Sequence, residues 1–551
     1  MTSRSTQTRT RRWWALDPAG SLVGLAFAVL SITPSLLPRP AVLQGALAGI
    51  SFAVGYLLGA VVWALVRRLL WRGGTVPPFR PVWWFVYASI WVAAILGLSA
   101  LALDWQNDVR GLVAMPPLDG VNVTGFLLSF LLLAVLLLAA GKATASMFGH
   151  LRRRIGAVLA TAASAIVVVA VVGGLVFAAV VGVDRIYLAR NALPDAEVAE
   201  PTSDFHSAGE ASPIAWESLG RHGANFVGGG PTAAEITQLT GAPALEPIRV
   251  YAGLESAPSI EERADLVVAE LERTGAFERS VLVVATATGS GWLEPQTVDA
   301  LEYLHGGDTA IAAMQYAYTP SWVSFVFDPD APVGAARALF EAVEQRWLQL
   351  PVDERPLLVS YGLSLGAHGS QAVFADLEDV RARTDAAMFV GSPNGSSLWR
   401  SLQAARDADS PAWQPVLDAG REVRWMSRAG DEDLLTGPWE QPRVLYLQHA
   451  NDPVTWLSPE LLFRSPEWLE SAQRSSDVSA SMRWIPVVTG LQVTVDMLGG
   501  EAVPAQHGHN YGDVVVTGWR QVTGDAALSP EAIERIQAEI ETYAPISSYT
   551  E

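Results

Sequence analysis

The chain has 551 residues, length for two or three domains, with 50% hydrophobic residues, no cysteine and a formal net charge of −19. Without cysteine there is no disulfide framework and no thiolate metal site. The charge is divided sharply: residues 1–183 hold 14 Lys and Arg against 4 Asp and Glu, so the remainder carries −29 and is repelled by nucleic acid and by anionic headgroups.

The apolar excess lies in the first third. Five stretches, 21–37, 42–66, 82–103, 123–145 and 155–183, approach or exceed the roughly 20 residues that cross a hydrocarbon core. The only charge inside them is Lys142, near enough to an end to snorkel. The first is the shortest and is interrupted by Pro34. Arg4, Arg9, Arg11 and Arg12 precede the first stretch, Arg67, Arg68, Arg72 and Arg80 separate the second and third, and Arg152, Arg153 and Arg154 separate the fourth and fifth. Basic loops stay in the cytoplasm. The pattern therefore predicts a transmembrane domain over 1–183 with about five spans and a cytoplasmic N-terminus. Everything after it would be extracytoplasmic, at the plasma membrane. The arginines at 11 and 12 lack a following small-residue cleavage pattern, so the segment reads as a retained anchor.

From 184 to about 247 the composition turns polar, with a Gly228-Gly229-Gly230-Pro231 break, as in a linker that orders near 214–226. Strand-like and helix-like patterns then alternate. Strands are expected at 248–251, 281–285, 310–316, 357–361, 386–390 and 443–449. Helices are expected at 259–274, opened by Ser259 and Glu262 in capping-box spacing, and at 297–304, 334–350 and 530–543. Such alternation implies a parallel sheet with helices on both faces over 248–551. The stretch 396–442, rich in Trp and Pro with Trp399, Trp413, Trp425 and Trp439, reads as a cap insertion. Its aromatic residues would line an apolar pocket or fill a core.

Within that frame, Gly362-Leu363-Ser364-Leu365-Gly366 follows an apolar run and precedes a helical pattern, which is where a nucleophile elbow sits. Gly362 and Gly366 are small enough for strand and helix to pass closely. Asp452 follows the strand at 443–449, and only two histidines, His507 and His509, come later still. Serine, acid and histidine thus occur in the order an α/β-hydrolase requires. Ser364 is the candidate nucleophile, Asp452 the acid and His509 the base, with His507 as the alternative base. Leu365 N–H is one candidate oxyanion donor, and Thr288 and Gly289, in the loop after the strand at 281–285, are the other candidates. His368 reads as a residue that packs or faces solvent, and His449 as one that supports the site or fills the core. As a metal pair, His507 and His509 would lack further ligands nearby, so no metal and no cofactor is expected.

The sequence resembles a bacterial, largely actinobacterial, family of membrane-bound α/β-hydrolases with an N-terminal multi-span domain. The resemblance rests on six motifs: residues 33–38 (TPSLLP), 215–221 (AWESLGR), 288–292 (TGSGW), the Ser364 elbow, 446–453 (YLQHANDP) and 507–512 (HGHNYG). Where that family usually has Glu before the serine, this chain has Leu363. The resemblance implies a Ser-Asp-His hydrolase and supplies no substrate. The expected function is a membrane-anchored serine hydrolase acting on ester substrates, lipid or acylated envelope components, with the bilayer as partner. The alternatives are an acyltransferase using the same residues, and a transporter or partner-binding protein with a regulatory hydrolase-like domain.

Overall fold

The computed structural model describes residues 16–70, 81–191, 198–512, 514–524 and 528–543. The N-terminal part is helical: α1 (Pro18–Leu30), α2 (Ala41–Leu70), α3 (Pro81–Leu112), α4 (Val123–Ile155) and α5 (Ala157–Asn191). Pairs of glycines let three of these helices close on one another, as small residues do between helices in lipid. A Cβ on Gly24 of α1 would fall 2.7 Å from the Phe52 carbonyl of α2, and one on Gly49 of α2 would fall 2.7 Å from the Phe130 carbonyl of α4.

All five expected stretches contain helix, but among the described residues two helices, α2 and α4, are long and apolar enough to cross a membrane, where about five spans were expected. The outer face of α4 carries exposed Leu128, Leu132, Val135 and Leu136. A core helix of a water-soluble protein would have buried such a row. In α3 and α5 the described apolar runs are shorter, Phe85–Ala94 and Ala157–Val171. The first stretch departs most from expectation, because α1 stops at Leu30. Pro34 and Pro38 remove donors and disfavour helix in the residues before them. Residues 31–40 instead form a loop whose Leu36 and Leu37 join the core of the C-terminal part. The arginines at 4, 9, 11, 12, 72 and 80 lie outside the described residues.

Three ends of the helical part touch the C-terminal part. Arg39, in the α1–α2 loop, pairs with Asp496 at 2.5 Å. Asp108, near the end of α3, accepts from the Ser479 hydroxyl at 2.7 Å. Asn191, the last residue of α5, accepts from Gln315 at 2.9 Å.

After α5, α6 (Gly220–Gly228) and α7 (Ala233–Thr240) lead into β1 (Ile248–Ala252), α8 (Ile260–Thr274), β2 (Val281–Thr286), α9 (Pro295–Leu304) and β3 (Thr309–Met314). Next come α10 (Ser321–Phe327), α11 (Ala331–Leu348), β4 (Leu357–Leu363), α12 (Leu365–Gln371), α13 (Leu377–Arg383), β5 (Ala386–Val390) and α14 (Ser397–Ala404). The last elements are β6 (Val423–Met426), β7 (Arg443–Leu447), α15 (Pro453–Trp456), α16 (Val488–Asp496), α17 (Val514–Thr523) and α18 (Pro530–Glu541). The expected strands are found within a residue or two of their bounds. The Ser259 capping box on α8 is formed as the spacing predicts.

The sheet has seven strands in the order β1-β3-β2-β4-β5-β7-β6, every pairing parallel. Its strands are continuous apolar runs because helices cover both faces. The stretch 396–442, expected as a cap, supplies β6 to the sheet edge. Its Trp425 is buried and stacks on Tyr446 of β7, with ring centroids 5.2 Å apart. Parallel order carries every strand's C-terminal end to one edge, and β4 at the centre delivers Ser364 there.

Candidate active site

Ser364 stands between β4 and α12 with φ 56° and ψ −121°, a conformation a side-chain-bearing residue adopts only when its surroundings enforce it. Two enforcing contacts are backbone crossings. A Cβ on Gly362 would strike the carbonyl of Gly366, and one on Gly366 would strike the carbonyl of Thr286 on β2. The Ser364 N–H donates to the Val390 carbonyl at 2.8 Å, fixing the turn to the end of β5. The side chain is half-buried and opens on a narrow cleft with about 410 Å³ of empty space, part of it solvent. Ser321, Leu365, Val454, Leu457 and Met497 share its wall.

Asp452 follows β7 and is fully buried. It caps α15 by accepting from Val454 N–H at 2.8 Å. Its Oδ2 accepts from His509 Nδ1 at 2.8 Å and from the Tyr511 hydroxyl at 2.7 Å. Burial opposes charge on both partners, yet each outweighs it for the other. The Asp452 carboxylate lifts His509 above its ordinary value, and His509 with the Tyr511 hydroxyl holds Asp452 below the usual carboxylate value. Because Nδ1 is bound to the carboxylate, Nε2 is the basic nitrogen. It is buried and makes no hydrogen bond, so Ser364 Oγ is not bonded to it in this state.

The histidine is held on a loop without regular structure. His509 N–H donates to the Gly500 carbonyl at 2.7 Å. Gly508 N–H donates to Asn451 Oδ1 at 2.9 Å, and the Gly508 carbonyl accepts from His449 Nδ1 at 3.0 Å. Burial lowers His449 to about 4, so that ring is neutral near pH 7 and its Nδ1 donates. It stacks on Tyr511 with centroids 4.0 Å apart. The His509 ring rests against Gly391, where a Cβ would fall 2.5 Å from Cε1. Gly391 is the residue after the carbonyl that binds Ser364 N–H.

His509 itself is buried. His507, the alternative base, has no bond to Asp452. Its charged neighbours are Asp477 and Arg428, and burial lowers it. His368 is half-buried against the Ser396 hydroxyl at 3.2 Å. The N–H groups of the two loop candidates for the oxyanion site are both engaged. Thr288 donates to the Trp292 carbonyl at 3.0 Å and Gly289 to Ser321 Oγ at 3.1 Å. Sequence reasoning passed over Tyr511, Asn451, Gly391 and Gly500. Tyr511 and Asn451 nevertheless stand in the motifs at 507–512 and 446–453, next to the candidate base and acid. Among the described residues no three His, Asp or Glu converge as a metal site.

A serine at positive φ after the central strand, with an acid and a histidine on loops after later strands, defines the α/β-hydrolase class of fold. Comparison with known families agrees: residues 248–536 match the alpha/beta-hydrolase family and residues 32–231 match the alpha/beta-hydrolase family N-terminus. The chain belongs to the alpha/beta-hydrolase family. No curated protein and no solved structure matches it.

Proposed function

We propose that this protein is a membrane-anchored serine hydrolase acting on esters, lipid or acylated components of a bacterial envelope. Ser364 is its nucleophile, His509 its base and Asp452 its acid. One observation carries the reading. His509 is bound through Nδ1 to a buried carboxylate while its Nε2 is left without a partner, beside the backbone that positions Ser364. A buried imidazole held in that tautomer has little structural use for Nε2 and is suited to take a proton.

In the first step Nε2 takes the Ser364 proton as Oγ attacks the ester carbonyl, and Asp452 stabilises the imidazolium. The imidazolium then returns the proton to the leaving alkoxide, leaving an acyl-serine that water clears by the same route in reverse. Contact between Oγ and Nε2 forms as the serine rotates with substrate bound, since such bonds tighten in the reacting complex. The Leu365 N–H, at the start of α12, faces the developing oxyanion. The Thr288–Gly289 loop acts through Ser321. That hydroxyl accepts from Gly289 N–H and keeps its own proton to donate into the cleft. Val454, Leu457 and Met497 suit an apolar acyl group.

The helical part meets the hydrolase domain at the α1–α2 loop, near the end of α3 and at the end of α5, while Arg152, Arg153 and Arg154 lie at the opposite end of α5, where α4 gives way to it, which supports an extracytoplasmic site. Two experiments test the proposal. Detergent-solubilised protein should hydrolyse p-nitrophenyl esters, and Ser364→Ala should not; equal rates from both would refute it. A reporter fused at the C-terminus should behave as extracytoplasmic, and cytoplasmic activity would refute the topology.

A further inference from the structure

The α1–α2 loop does more than connect two helices. Its residues reach Asp496, the last residue of α16, which is buried and placed at the end of a helix where a negative charge is disfavoured by the aligned backbone dipoles. Among the described residues, the side-chain hydrogen bonds and the ion pair that Asp496 receives come from this loop. Ser35 Oγ and Leu36 N–H donate to Oδ2 at 2.5 and 3.2 Å, and Arg39 Nε donates to Oδ1 at 2.5 Å. Both charged side chains are nearly solvent-free, 2% and 0% exposed. From α16, Gln492 reaches back to the Thr33 carbonyl at 2.9 Å. The chain then runs directly from Asp496 into the site. Met497 lines the cleft, and Gly500 accepts the His509 N–H. On the other side of the same loop, a Cβ added at Gly508 would fall 3.2 Å from Leu37 Cδ1.

We infer that the 33–39 loop of the N-terminal helical part is a positioning clamp for the active site: Arg39 and Leu37 hold Asp496 and Gly508, and through them fix the catalytic histidine. The inference rests on the reading of His509 as the base. It gives the helical part a role in turnover besides anchoring. Its physical reason is that 506–512 contains no helix or strand of its own. The loop keeps one geometry only where partners on both sides exclude the alternatives, and a misplacement of about 1 Å at a base is costly in rate. Arg39 touches no substrate, so its effect should fall on kcat.

The test uses the full chain in detergent, with p-nitrophenyl butyrate as substrate and a fluorophosphonate as active-site probe. Arg39→Met should lower kcat roughly ten- to a hundredfold with KM changed less than about threefold, and Arg39→Lys should restore part of it. Since Arg39→Met strands a buried carboxylate and could unfold the domain, Leu37→Ala provides a second route without a stranded charge. It should lower kcat by about three- to tenfold, again with KM held. Ser479→Ala is the control. It breaks the Asp108 contact, which also joins the two parts but makes no hydrogen bond to Gly508, His509 or the described residues that hold them, and it should keep wild-type kcat.

Wild-type kcat in Leu37→Ala and in a folded Arg39→Met would overturn the inference. So would a loss in Ser479→Ala equal to that in Leu37→Ala, because any docking contact would then serve. A wild-type protein that neither hydrolyses the ester nor labels would remove the hydrolase reading itself, and this inference with it.

Discussion

The two halves of the active site are built on opposite principles. Ser364 sits at the centre of a seven-stranded sheet, and its strained turn is enforced by neighbours within β2, β4, β5 and α12. His509 sits on an irregular loop held by single bonds from Asn451, His449, Gly500 and Asp452. The difference teaches that the nucleophile is a property of the fold, while the base is a property of long-range contacts. Substitutions at the serine end should therefore cost chemistry without structure. Those at the histidine end should affect both.

The largest effect is expected at the nucleophile. Ser364→Ala should lower ester turnover by about 10⁶-fold while leaving the thermal midpoint near that of wild type, because alanine needs no hydrogen bond there. Next, Asp452→Asn should cost about 10⁴-fold in kcat by disturbing the imidazole tautomer, as measured by steady-state kinetics. The same variant should also move the acid limb of the rate profile. The base works when neutral, so activity rises as pH rises through the His509 value, which in the wild type lies above the ordinary 6.5 because Asp452 lifts it. Without the carboxylate, burial is the largest remaining influence, opposed by the smaller effects of Glu501 and Glu294, so the limb should move to more acid pH. A limb unmoved, or moved to higher pH, would show that a different group titrates.

Smaller effects come from the support. Gly391→Ala places a Cβ 2.5 Å from His509 Cε1 at a backbone φ of 56°, and should cost about a hundredfold in kcat by displacing the ring. Tyr511→Phe removes the donor to Asp452 and the acceptor of His449 N–H, which are 2.7 and 3.1 Å bonds. It should destabilise the domain by about 2 kcal/mol in chemical denaturation, with a loss of kcat below roughly tenfold. If it cost as much turnover as Asp452→Asn, the tyrosine would have a part in the chemistry.

The same contrast explains what could be read from sequence. Parallel strands buried on both faces are continuous apolar runs, and the elbow needs small residues at fixed offsets, so β1 to β5, β7 and Ser364 were visible. β6 was hidden because its four residues lie in a stretch dominated by Trp, Pro and turn residues. Choosing between His507 and His509 needed the path of the chain, since both share one motif and only coordinates bring one of them to Asp452. The burial of His509, the use of Gly289 N–H by Ser321 and the reach of Arg39 to Asp496 are all contacts across tens to hundreds of residues. No local pattern encodes them. In the helical part, hydropathy located helices correctly but not their ends: 21–37 looked like one span, yet Pro34 and Pro38 turned half of it into the loop that enters the hydrolase core.

The most direct measurement is covalent labelling of the detergent-solubilised full chain with a fluorophosphonate, followed by peptide mapping. The account predicts a single adduct on Ser364, absent from Ser364→Ala and strongly slowed in His509→Ala. An unlabelled wild type beside a reactive reference serine hydrolase, or an adduct on any other residue, would contradict it.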